Sequence, residues 1–256
     1  MFREEYAKLA NSGLAKINLL HKNPLGYLMM SMLAGAYMSF GVFLVFTAGG
    51  LLNGSPAAKL VMGASFAVAL SLVVMAGGEL FTGNNLCTAA GIAKKQISFA
   101  DATRLSLACW LGNLAGSVLF SWLFSLTGLY SGGTLTAVTD SAAMKMTAGF
   151  VPLLSRGILC NILVCLAVWC ATKLNSEAGK LMMVFWCIFA FFATGFEHSI
   201  ANMTTLTLAL IDSAGNEAIS LGGYFYNLFV VTLGNMIGGC IFVAVPYYVV
   251  SREKDE

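Results

Sequence analysis

The sequence predicts an all-α membrane protein of six transmembrane helices, built as two inverted three-helix repeats in which helices 2 and 5 are broken. Three observations predict it. Hydrophobic residues make up 58% of the 256 and charged residues 10%, and the charges cluster between long apolar runs, a pattern foreign to a soluble domain of this size. Two distant segments read as copies of one another, Leu111-Gly-Asn-Leu-Ala-Gly-Ser-Val-Leu-Phe120 and Leu233-Gly-Asn-Met-Ile-Gly-Gly-Cys-Ile-Phe242. Upstream of each, a long apolar segment carries a polar break, Gly78-Glu-Leu-Phe-Thr-Gly-Asn-Asn85 and Gly195-Phe-Glu-His-Ser-Ile-Ala-Asn202.

The first segment, 1–24, is too charged and too short of an apolar core for a signal peptide. Tyr6, Leu9, Ala10, Leu14, Ile17 and Leu20 fall near helical spacing, which suits a helix at the membrane surface; a plain positively charged flag explains the same lysines. Six spans follow within a channel domain over 25–250, at roughly 25–52, 57–90, 99–128, 149–172, 181–211 and 219–250, each exceeding the roughly 20 residues that a helix needs to cross the hydrocarbon core. The second and fifth are too long for one straight crossing. A break in each gives two half-helices, and non-helical backbone at membrane depth survives only where protein packs it or it lines a cavity.

Orientation follows from the cations. Arg3, Lys8, Lys16 and Lys22 precede the first span; Lys94, Lys95, Arg104, Lys173, Lys180, Arg252 and Lys254 lie on the same side, against Lys59 and Lys145 on the other. This bias puts both termini, and the tail 251–256, in the cytoplasm of a cell whose cytoplasmic membrane the chain spans. Three spans per half is an odd number, so the second repeat (about 149–250) is inverted relative to the first (about 25–128).

The seven cysteines lie in or beside the spans without a C-x-x-C pair and read as small apolar filler. A membrane enzyme or redox subunit lacks its equipment here: one histidine within the spans cannot ligate haem twice, and H-E-x-x-H and G-x-S-x-G are absent. No enzyme activity, cofactor, metal or nucleic-acid partner is expected. His198 is that histidine, and an ionisable group at membrane depth points to function because its burial needs partners or water. Glu197 adjoins it but projects about 100° away if helical.

The breaks, the repeated Leu-Gly-Asn segments and Cys160-Asn-Ile-Leu-Val-Cys-Leu-Ala-Val-Trp169 together resemble the formate–nitrite transporter family, hydrosulfide channels included. The resemblance covers spans 1 to 6. It implies an aquaporin-like protomer with its own pore, a homopentamer in the lipid bilayer, and passage of small monovalent anions such as hydrosulfide, formate or nitrite; the form of the first break and Arg156-Gly-Ile resemble the hydrosulfide and formate branches more than the nitrite branch. Proton-coupled monocarboxylate transport is the alternative within this class.

The resemblance also implies roles. His198 faces the pore opposite Thr82, and Phe66, Leu70, Leu80, Phe81 and Phe191 narrow it. Glu197 turns away from the pore into a polar network with Asn161, Asn202 and Lys145, with Glu79 its counterpart in the first break. Lys145, reaching in from a loop or an early turn, puts a positive charge in the outer vestibule. Asn235 is a pore or break contact, and the neighbouring glycines serve packing. Arg156 either snorkels to the interface or lines the vestibule. Protonation of the anion by or near His198 is expected, with the proton's source left open.

Overall fold

The computed structural model describes residues 1–252; the end of the expected tail, 253–256 with Lys254, lies outside the described residues. The helices are α1 (Arg3–Lys22), α2 (Pro24–Leu51), α3 (Ala58–Leu72), α4 (Phe81–Ala93), α5 (Phe99–Ser125), α6 (Gly132–Thr147), α7 (Phe150–Lys173), α8 (Glu177–Thr194), α9 (Ser199–Ile211), α10 (Leu221–Ile237) and α11 (Val245–Ser251), with π-helical turns at Val73–Gly77 and Gly238–Ala244. Among the described residues, six helical segments are long and apolar enough to cross a membrane: Pro24–Leu51, Ala58–Gly77, Phe99–Ser125, Phe150–Lys173, Glu177–Thr194 and Leu221–Ser251. The chain is a multi-pass membrane protein.

Local sequence sets the helix ends. Asn23 accepts a hydrogen bond from Gly26 N–H with Pro24 opening α2, and Ser98, Ser176 and Ser220 accept equivalent bonds at the starts of α5, α8 and α10, filling donors that a helix N-terminus leaves free. Both breaks begin at a glycine in the left-handed region, Gly77 at φ 85° and Gly195 at φ 87°, a backbone conformation that costs other residues energy. Extended residues follow, and the chain re-enters helix at Phe81 and Ser199.

The two halves pack by the same device. The Leu-Gly-Asn helices α5 and α10 lie against α2 and α7, and a Cβ added at Gly116 or Gly238 would run into the carbonyl oxygen of Met32 or Ile158 respectively. Backbones approach here as closely as glycine permits.

Three features differ from the sequence expectation. The connection before the fourth span is not a loop: α6 occupies it, and Lys145 sits in its last turn. The sixth span is not uniformly α-helical but widens into a π-helical stretch at Gly238–Ala244, where Gly239 abuts Asn161 and Cys165. The amino-terminal helix is built into the body. Tyr6, Leu9 and Ala10 on α1 are almost wholly buried, Tyr6 Oη donates to the Ala244 carbonyl at 3.3 Å, and Phe2 meets Trp169 edge-on.

Candidate functional site

The two breaks meet in the middle of the bundle. Asn113 and Asn235, the asparagines of the repeated segments, hold them in the same way. Asn113 Oδ1 accepts from Phe81 N–H at 3.0 Å while its amide donates to the carbonyls of Ser31 at 2.7 Å and Glu79 at 2.8 Å. Asn235 Oδ1 accepts from Ser199 N–H at 2.9 Å while its amide donates to the carbonyls of Gly157 at 2.8 Å and Glu197 at 3.0 Å. Each asparagine thus satisfies an orphan donor at a half-helix start and the carbonyl of the acid in the break. Sequence reasoning treated only Asn235 as a break contact; the repeat itself was the signal that Asn113 does the same.

The acids are held symmetrically too. Lys145 Nζ pairs with Glu197 Oε2 at 2.7 Å, and the same oxygen accepts from the Asn202 amide at 2.7 Å. Lys16 Nζ pairs with Glu79 Oε1 at 2.6 Å, while Glu79 Oε2 accepts from the Asn84 amide at 2.9 Å. Lys16 escaped the sequence reading because its partner is 63 residues away. Since α1 supplies Lys16 as α6 supplies Lys145, each repeat includes a leading helix besides its three spans.

Asn161 differs from the expected network. Its amide donates to the carbonyls of Thr82 at 3.2 Å and Asn235 at 2.6 Å, with no bond to Glu197; it ties one break to the helix that supports the other. Being on α7, which packs against both α4 and α10, it reaches a carbonyl of each.

His198 and Thr82 touch where the half-helices start. His198 Nε2 lies 3.0 Å from Thr82 Oγ1, and Nδ1 accepts from Ala201 N–H at 3.1 Å, making His198 the N-cap of α9. An imidazole nitrogen that accepts carries no proton, so this geometry assigns the neutral ring with hydrogen on Nε2, which then donates to Thr82. Thr82 Oγ1 receives that bond and keeps its own hydroxyl proton to offer elsewhere. An imidazolium would need a proton on Nδ1 and would break the cap.

A cavity of 460 Å³ leads down to His198 from the face opposite the chain ends. Phe66, Phe191, His198, Glu197, Asn202, Lys59, Lys145 and Arg156 line it, with Asp140 among them. Arg156 therefore lies at the cavity and not solely at the lipid interface, and its carbonyl accepts from Glu197 N–H at 3.2 Å. Phe191 stacks on His198 with ring centroids 5.9 Å apart and meets Phe66 edge-on at 5.8 Å, so an aromatic collar of Phe66 and Phe191 abuts the imidazole on one side. Thr82 is fully buried and does not line this cavity. Leu70 and Leu80 are buried in the same apolar core as Phe66, outside the cavity. Phe81 borders a different crevice with Trp110 and Leu228.

Six membrane-crossing helices whose two half-helices meet at a buried His–Thr pair, below a cavity lined by cations, define a transport protein of the pore-forming class. The chain belongs to the formate/nitrite transporter family, whose model matches residues 3–249. It is 41% identical over 253 residues to the nitrite transporter NirC of Escherichia coli strain K12, covering 97% of this chain and 92% of that protein. Among solved structures it is similar to one titled "FNT family ion channel", with a TM-score of 0.92, 38% identity and coverage of 97% and 99% of the two chains. It is similar also to one titled "Pentameric formate channel with formate bound", with a TM-score of 0.81, 28% identity and coverage of 90% and 98%.

Proposed function

We propose that this chain forms a homopentamer, each protomer carrying a pore for small monovalent anions of weak acids, with nitrite and formate as first substrates. The observation that carries the reading is the neutral His198–Thr82 pair where the two half-helix N-termini converge. Those N-termini carry partial positive charge, worth about 0.3–1 kcal/mol each near the surface and more when dry. An anion arriving there meets the Thr82 hydroxyl, polarised by the Nε2 hydrogen bond behind it, and exchanges part of its hydration shell for these donors.

Lys59, Lys145 and Arg156 raise the local anion concentration in the cavity before that step. Lys145 does so less than an unpaired lysine, since Glu197 takes one of its bonds. Phe66 and Phe191 then impose a dry constriction, and a charged solute pays a desolvation cost there that a neutral acid escapes. Proton and anion therefore cross most easily together. The proton comes from the aqueous side, because His198 holds its Nδ1 as an acceptor for the α9 cap. The side carrying the chain ends is cytoplasmic by the positive-inside bias.

The sequence expectation ranked hydrosulfide and formate ahead of nitrite. A relative named for nitrite at 41% identity moves nitrite level with formate, and hydrosulfide becomes a solute to test. The test is uptake into liposomes of formate, nitrite and hydrosulfide at pH 5.5 and 7.5. We expect formate and nitrite flux above protein-free liposomes, rising at the lower pH; flux equal to protein-free controls for all three, with intact pentamers, would overturn the reading.

A further inference from the structure

Away from the pore, a continuous crevice runs up one side of the bundle. Its lower cavity, 400 Å³ between α4, α5 and the π-helical stretch, shares Thr103, Ser106 and Met236 with an upper cavity of 500 Å³ that ends at Trp110 and Phe229. The walls are overwhelmingly apolar. At its lower mouth Ala93 and Tyr248 are shared with a third cavity, of 330 Å³, lined by Arg3, Lys94, Lys95 and Arg252. Among the described residues no carboxylate lines that third cavity. It lies on the face that carries the chain ends, since it contains residues from both.

We infer that this crevice binds an anionic phospholipid, its phosphate among Lys94, Lys95, Arg252 and Arg3 and one acyl chain running along α5 to Trp110. Basic pockets at the membrane boundary between helices suit acidic headgroups, and an apolar slot rising directly from such a pocket toward mid-membrane fits a chain attached to that headgroup. Charge complementarity together with continuity selects the lipid: the cations that the positive-inside bias places on this face stand at the foot of the apolar slot and share Ala93 and Tyr248 with it, so a phosphate joined to an acyl chain is held at both ends. Trp110 Nε1 donates to Thr232 Oγ1 at 3.1 Å, which fixes the indole as the upper wall.

The experiment reconstitutes the full-length pentamer in phosphatidylcholine vesicles containing a minor fraction of lipid brominated near the chain ends, either phosphatidylglycerol or phosphatidylcholine. Tryptophan fluorescence is read in the parent and in Trp110→Phe. We expect brominated phosphatidylglycerol to quench the parent more than brominated phosphatidylcholine, and that excess to vanish in Trp110→Phe. Lys94→Gln, Lys95→Gln and Arg252→Gln should each weaken the phosphatidylglycerol effect roughly fivefold, the worth of one cation near an anionic lipid surface. Their folding is checked by pentamer elution and unchanged formate uptake. Equal quenching by the two lipids, or an excess untouched by the cation variants, would overturn the proposal. No Trp110 contribution with either lipid would mean that a neighbouring protomer fills the slot. A variant ending at Arg252 removes the acidic Glu-Lys-Asp-Glu end; quenching confined to that variant would assign the basic cavity to the chain's own tail and sink the proposal.

Discussion

His198 does two jobs with two nitrogens, and they constrain one another. Nδ1 caps α9 and Nε2 meets Thr82. Asparagine caps helices well, so His198→Asn should retain the thermal stability of the protein, whereas His198→Phe removes the cap and should cost about 1 kcal/mol. Equal melting temperatures for the two variants would show that the cap contributes little. Much of this site was legible as residues: the breaks pointed to His198, Thr82, Glu197 and Asn202 because polar groups in long apolar segments need a reason. The ring's protonation was not legible, because it depends on α9 starting at Ser199, and helix starts are fixed by backbone geometry around the break. Nor was the Asn161 partnership, which depends on how α7 is rotated against its neighbours.

At the scale of elements, the two lysine–glutamate pairs fasten the leading helices α1 and α6 to the breaks. Both pairs are largely shielded from water, with side-chain exposures of 19% and 11% for Lys16 and Glu79 and of 19% and 5% for Lys145 and Glu197. Removing one member leaves a carboxylate or ammonium without its counter-charge, which in buried pairs costs about 3–5 kcal/mol. Lys145→Gln should therefore destabilise strongly, and adding Glu197→Gln should recover most of the loss, as read by a double-mutant cycle on thermal unfolding. Additive effects would mean the pair is not coupled. Gly116→Ala, pressed against the Met32 carbonyl, should cost about 1–3 kcal/mol by overpacking, measured as earlier loss of the folded protein on heating; a neutral result would mean that α2 and α5 separate freely. The spans themselves were readable from hydropathy and length. The helix α6 was not, because its mixed composition between Gly132 and Thr147 carries no strong apolar stripe.

The whole molecule joins a cation-lined cavity to a constriction held by symmetric supports. The inverted repeat explains why one motif recurs on both sides of the membrane midplane: each half-helix needs the same asparagine clamp, the same acid and the same lysine, presented from opposite faces. If the aromatic collar sets the size limit, Phe191→Ala should raise lactate uptake more than formate uptake, because widening relieves the bulky solute most. Flux in liposomes at matched protein content checks this, with pentamer integrity verified first, since a buried Phe→Ala can cost about 3–5 kcal/mol. Equal gains for both solutes would place the size limit elsewhere.

The central claim is that a neutral His198 donates its one hydrogen bond to Thr82 while the proton enters from solution. It is tested most directly by formate uptake between pH 5 and 8 in the parent and in His198→Asn, both as intact pentamers. The two profiles should rise in parallel as pH falls, with the variant slower throughout, because the substrate's own protonation sets the trend. A profile that becomes flat in His198→Asn would identify the imidazole as the titrating group and contradict the account.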